Sequence, residues 1–231
     1  MVAIFVAITF ISLVLVDLGL EKWQAWQAAR ASRRPASLRV FGFDTLFTIP
    51  EGVHLSNAHT WSKPDPAGGL AIGADVLLTH AVGAIRRIAL PKAGERVAAG
   101  QPLFRLEHDD RSITVPSPLT GIVRGVNPNL AAEPGRINSD PYGSGWICNL
   151  TPTSMESEVL GMRLGEKASR WLESEFTRLR EFLFAQIPSE FALGATSQDG
   201  GFPAPGCLME LDMAAWKKFE AEFLGRKVGK A

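Results

Sequence analysis

The chain has 231 residues, 24 basic and 24 acidic side chains, 4 His, 2 Cys and 46% hydrophobic residues. That length can bury a core without disulfide staples, and the zero formal charge lacks the basic footprint of a general nucleic-acid binder. Cys148 and Cys207 lie far apart and form no CxxC, which argues against a zinc ribbon, a dithiol redox site or a disulfide-rich secreted scaffold.

Val2 to Val16 carry no charge, and apolar character resumes after Asp17 as Leu-Gly-Leu. A stretch of this length can cross the hydrocarbon core as a helix. A cleaved signal peptide is the competing reading, but no Lys or Arg precedes the run and no small-residue cleavage site follows it. We therefore expect a transmembrane helix over 1–22 that contacts the lipid bilayer. Lys22, Arg30, Arg33 and Arg34 follow it, which predicts an outside N-terminus and a cytoplasmic main domain. Trp23 and Trp26 suit the headgroup level. Asp17 reads as an end-of-helix residue, with a polar contact to another membrane helix as the alternative. Residues 23–37 read as a helical stalk that Pro35 ends.

The pattern then changes to short apolar runs separated by Pro/Gly turns. Val40 to Ile49, Ile85 to Leu90, Pro102 to Leu106, Ile113 to Val115, Ile122 to Val126 and Trp146 to Leu150 read as strands. Their spacing implies a small sandwich or flattened barrel over 38–163.

The blocks in this region resemble the glycine cleavage system H protein family. His59-Thr60-Trp61 stands where that family has His-Glu-Trp. Gly73 to Gly94 follows its glycine, short-helix, strand and Leu-Pro-turn block. Pro118-Leu-Thr-Gly121 fits its Pro-x-Ser-Gly turn, and Asn127 to Trp146 its Ile-Asn, Asp-Pro-Tyr-Gly and Gly-Trp stretch. The resemblance implies a mainly β, lipoyl-like flattened barrel (hammerhead). It also implies a lysine in a Glu-Ser-Val-Lys-Ala hairpin, carrying lipoic acid as an amide. Glu107 falls on the motif's glutamate, and its lysine falls on Asp110; no lysine occurs between Lys92 and Lys167. Asp110 cannot be lipoylated, and the permanently charged Arg111 will not acylate. No lipoyl group or other cofactor is therefore expected.

Glu107-His108-Asp109-Asp110-Arg111 reads as a solvated, self-compensating tip, with a divalent-metal site or a protein contact as alternatives. His54 and His59 have neither helical nor same-face strand spacing, so no metal site is expected there. Arg86 and Arg87 adjoin in one strand and are expected on opposite faces, in keeping with an edge. No catalytic motif is convincing.

From 164 to 231 the chain outlasts the resemblance. Leu164 to Gln186 is an amphipathic helix with Ala168, Trp171, Leu172, Phe176, Leu179, Phe182 and Leu183 on one stripe, and Glu175 among the residues assigned to the rest of its surface. Asp212 caps a last helix, Met213 to Leu224, bearing Trp216, Phe219 and Phe223. Packing on the β-domain is the simple reading. The alternative uses Trp171, Phe176, Trp216 and Phe219, with Asp17, Trp23 and Trp26, as contacts to other protein subunits. The expectation is a non-enzymatic accessory or scaffold subunit of a membrane complex. A tethered carrier or regulatory component, related to glycine cleavage or lipoyl transfer, is the other reading; a third uses the pocket that houses a lipoyl arm to bind a small ligand.

Overall fold

A computed structural model describes residues 47–153, 158–159, 161–186 and 202–225. The expected transmembrane helix and stalk, with Asp17, Trp23 and Trp26, fall outside the described residues. Among the described residues, no helix is long and apolar enough to cross a membrane.

Among the described residues, ten short strands form two antiparallel sheets. They are β1 (His54–Leu55), β2 (Thr60–Pro64), β3 (Leu70–Ala74), β4 (Arg87–Ala89), β5 (Arg96–Val97), β6 (Pro102–His108), β7 (Arg111–Pro116), β8 (Gly121–Val126), β9 (Cys148–Pro152) and β10 (Arg163–Leu164). The larger sheet has the order β10-β1-β2-β3-β9-β8-β5, and the smaller has β4-β6-β7. From β1 to β10 the described residues are mainly β, as the H-protein resemblance implies. Alternation builds the core: in β7, Ile113 and Val115 are buried while Ser112 is exposed.

Two segments differ from the sequence expectations. The described end of the expected first strand, Phe47–Ile49, is not extended in a sheet. Phe47 packs edge-on against Phe176 and Phe202, and Val53 closes a turn onto the Pro50 carbonyl. The strands β1, β2, β3, β5 and β10 were not foreseen; β1, β5 and β10 are only two residues long, too short for a periodic signal. β2 and β3 are held by a fit that periodicity does not display. Trp61 pairs with Gly73, and its ring occupies the space where a Cβ on residue 73 would sit 2.5 Å away. Its Nε1–H donates to the Pro141 carbonyl at 3.0 Å.

Helix α1 (Val76–Val82) starts at Asp75, whose carboxylate accepts from the Leu78 amide, and ends at Gly83 with φ +80. Two single-turn helices, α2 (Asn129–Ala132) and α3 (Arg136–Ser139), follow β8. Asn138 secures α1 by donating to the Thr79 and Gly83 carbonyls. Arg87 lies on edge strand β4 as expected, but the side chains of Arg86 and Arg87 are 66% and 77% exposed, so neither points inward.

The extension comprises α4 (Glu166–Ala185), a 3-10 turn (Cys207–Glu210) and α5 (Met213–Leu224). On α4, Ala168, Leu172, Glu175, Phe176, Leu179 and Phe182 are buried. On α5, Asp212 caps through the Ala215 amide at 2.8 Å, and Trp216, Phe219 and Phe223 are buried. Three residues of the interface alternative lie inside the chain. Phe176, Trp216 and Phe219 are spent on the chain's own core, because an amphipathic helix buries its apolar stripe against the nearest apolar surface.

Candidate functional site

The hairpin on which the H-protein resemblance places the lipoyl lysine is formed by β6 and β7, closed by the His108–Arg111 pair. Asp109 and Asp110 make the two-residue turn, and Asp109 adopts φ +50, a conformation Asp tolerates better than most side chains. Both are exposed. The residue at the lysine position is thus a carboxylate at the tip. Around it, Arg87 Nε donates to Glu107 at 2.5 Å, Arg86 faces Asp109 at 3.9 Å, and His108 Nε2 lies 3.4 Å from Asp109. The charges compensate one another, and among the described residues no group of three His, Cys, Asp or Glu is placed to hold a metal.

Arg111 leaves the tip and reaches the extension. Its guanidinium donates to the carbonyls of Leu208 and Leu211 at 3.3 and 2.5 Å and lies 5.5 Å from the centre of the Trp216 ring. Beyond it, Ser112 and Thr114 turn main-chain groups toward the free side of β7. The Ser112 carbonyl accepts from Trp216 Nε1 at 3.2 Å, and the Thr114 amide donates to Glu220 at 3.4 Å. Two residues four apart on one face of α5 therefore cap a strand edge. At the hairpin base an open cavity of about 470 Å³ is lined by Ala58, Gly100, Thr114, Pro116, Glu158 and Leu224, among others. Glu158 is held there by the Thr120 amide and hydroxyl.

A second cluster ties α4 and α5 to the β-domain. His59, at φ +55, is fully buried. Its Nδ1 bonds Asp75 at 2.8 Å, while Nε2 makes an ion-pair contact with Glu175 at 3.4 Å but no hydrogen bond. Burial alone would lower the imidazole pKa. The Asp75 and Glu175 carboxylates more than offset that and raise it to about 9, so the ring is an imidazolium at neutral pH. Burial pushes the Glu175 carboxyl up, but His59 and Arg178 outweigh it and the net shift is downward. Trp171 stacks on the His59 ring at 5.2 Å and Phe223 lies at 6.0 Å, so a cation meets two aromatic faces. Trp171 is half-buried here, with the Arg163 guanidinium over its outer face at 4.5 Å. This network was missed because Glu175 was assigned to the solvated face. Its place between Leu172 and Leu179, on the apolar stripe, was the available signal.

A family model described as Glycine cleavage H-protein matches residues 53–175. The "Probable glycine cleavage system H protein" of Pyrococcus abyssi is 30% identical over 128 residues, which cover 55% of this chain and 95% of that protein. The "Glycine cleavage system H protein" of Micrococcus luteus is 33% identical over 107 residues, covering 46% and 84%. A crystal structure of a glycine cleavage system H protein from Mycobacterium marinum overlaps with a TM-score of 0.46 at 26% identity, covering 55% of this chain and 98% of that one. The 3-10 turn and α5 lie beyond the matched residues.

Proposed function

Because the chain belongs to the glycine cleavage H-protein family, we propose that it is a non-lipoylated member that serves as an accessory or scaffold subunit of a membrane protein complex, with its H-type domain as a cytoplasmic docking surface. The observation that carries this reading is Asp110 at the exposed tip of the β6–β7 hairpin, with no lysine between Lys92 and Lys167 to take over. The residues present do not fit a lipoyl group: an amide to lipoic acid needs a primary amine, and the tip offers carboxylates, a His and guanidinium groups. An H protein is a carrier rather than a catalyst, and nothing in the hairpin adds a nucleophile with an activating base. The membrane part of the proposal rests on the uncharged run Val2 to Val16 and the basic residues that follow it.

A second reading, a tethered carrier or regulatory component of glycine cleavage, is favoured by the names of the relatives and by the open cavity beside the hairpin. One experiment separates the two. The protein is purified from its own membranes in mild detergent, and the intact mass and the companions are read together. An unmodified chain held with other membrane subunits supports the scaffold reading. A lipoyl-sized increment, or glycine cleavage enzymes as the companions, supports the second.

A further inference from the structure

The residue at the alanine of the family's Glu-Ser-Val-Lys-Ala pattern is Arg111, and Arg111 is also the hairpin's link to the extension. Its guanidinium holds the Leu208 and Leu211 carbonyls where the 3-10 turn ends, a charge-assisted pair of bonds; the Leu208 carbonyl accepts its bond beside the one it takes from the Leu211 amide. The segment that follows lies along β7. Trp216 and Glu220 occupy the Ser112 carbonyl and the Thr114 amide, the groups through which an added strand would pair.

At its other end the segment is seated on α1. The Gly206 amide donates to the His80 carbonyl at 2.8 Å, and His80 Nε2 bonds the Pro203 carbonyl at 2.8 Å. A Cβ on Gly83 would lie 2.6 Å from the Gly206 Cα, so the two backbones touch without side chains between them. Buried Trp216, Phe219, Phe223 and Leu224 complete the attachment.

We propose that Phe202–Gly225 is a clasp that closes the free edge of β7, and that by occupying this edge, with the tip itself left exposed, it keeps off the enzymes that load lipoyl domains, independently of the missing lysine. Arg111 is its positioning residue. The inference rests on the reading of the chain as a non-carrier and says how that state is enforced.

The test returns a lysine to the tip of the full chain. Asp110→Lys is incubated with lipoate, ATP and a lipoate–protein ligase, with a lipoyl-accepting domain as positive control and the intact mass as readout. Asp110→Lys is expected to be modified at least tenfold more slowly than the control. Adding Arg111→Ala, the family's own residue, is expected to recover at least tenfold. Hydrogen exchange runs in parallel: Arg111→Ala should speed exchange of the Thr114 amide and of 207–224, while β8 and β9 stay protected and show the fold intact.

Modification of Asp110→Lys at the control rate overturns the proposal. So does exchange that Arg111→Ala leaves unchanged, or a double variant that opens by exchange yet stays unmodified. None of these results bears on the scaffold reading, which fails instead if the purified native chain brings no membrane companions.

Discussion

His59 shows how one side chain comes to hold three parts of the chain. Its imidazolium lies between the carboxylate that caps α1 and a carboxylate from α4, under aromatic rings from α4 and α5. Removing one partner of a buried pair leaves the other charge uncompensated. Glu175→Gln is therefore expected to destabilise the fold by about 1–3 kcal/mol, less than for a fully enclosed pair because Glu175 retains some solvent contact. Urea unfolding checks this, and the His59 pKa should fall in the same variant. The pH dependence follows from the direction of the shift. A folded pKa of about 9 against 6.5 means that folding favours the protonated ring. Its contribution is complete below about pH 6.5 and is lost as pH rises through about 9, on the order of 3 kcal/mol in total. The depressed Glu175 carboxyl acts at the other end, its contribution present above its unfolded value and lost in acid. Urea midpoints across this range should fall toward alkaline pH, and His59→Gln should flatten that fall.

At the scale of elements, the two extension helices behave as core. Phe176 meets Phe47, Phe202 and His80 with its ring. Phe176→Ala should cost about 3–5 kcal/mol and lower Tm, the usual result of deleting a buried ring, rather than release an otherwise folded chain from partners. Gly83→Ala tests the seat of the clasp. The added methyl meets the Gly206 backbone and strains a residue at φ +80, so exchange within 207–224 should rise at least tenfold. Much of this was legible in the sequence. Both helices and the Asp212 cap follow from periodicity and end signals, the short α1 before Gly83 from the family resemblance, and the central strands from their Pro/Gly punctuation. What stayed hidden depends on contacts between distant positions. The Trp61–Gly73 fit and the Glu175–His59 pair bring together residues that local pattern treats separately. Likewise Arg111 read as one charge among five at a tip, when its partners are carbonyls about a hundred positions away.

For the whole molecule, the family match covers residues 53–175, and both the proposed tether and the proposed clasp lie outside it. The N-terminal run is proposed to tether it. A variant lacking 2–20 should move from the membrane pellet to the supernatant on fractionation, and an intact chain that resists carbonate extraction would agree. The clasp adds a consequence in time. The Thr114 amide and its Glu220 partner are 106 residues apart in the chain, so the ribosome completes the hairpin long before it makes α5. At about 5–20 residues per second the interval is roughly 5–20 s. Throughout it the nascent domain carries a bare β7 edge, the kind of surface that recruits strands from neighbouring chains. The pace of translation between the hairpin and α5, and the chaperones that meet the chain in that window, thus bear on how much protein reaches the folded state.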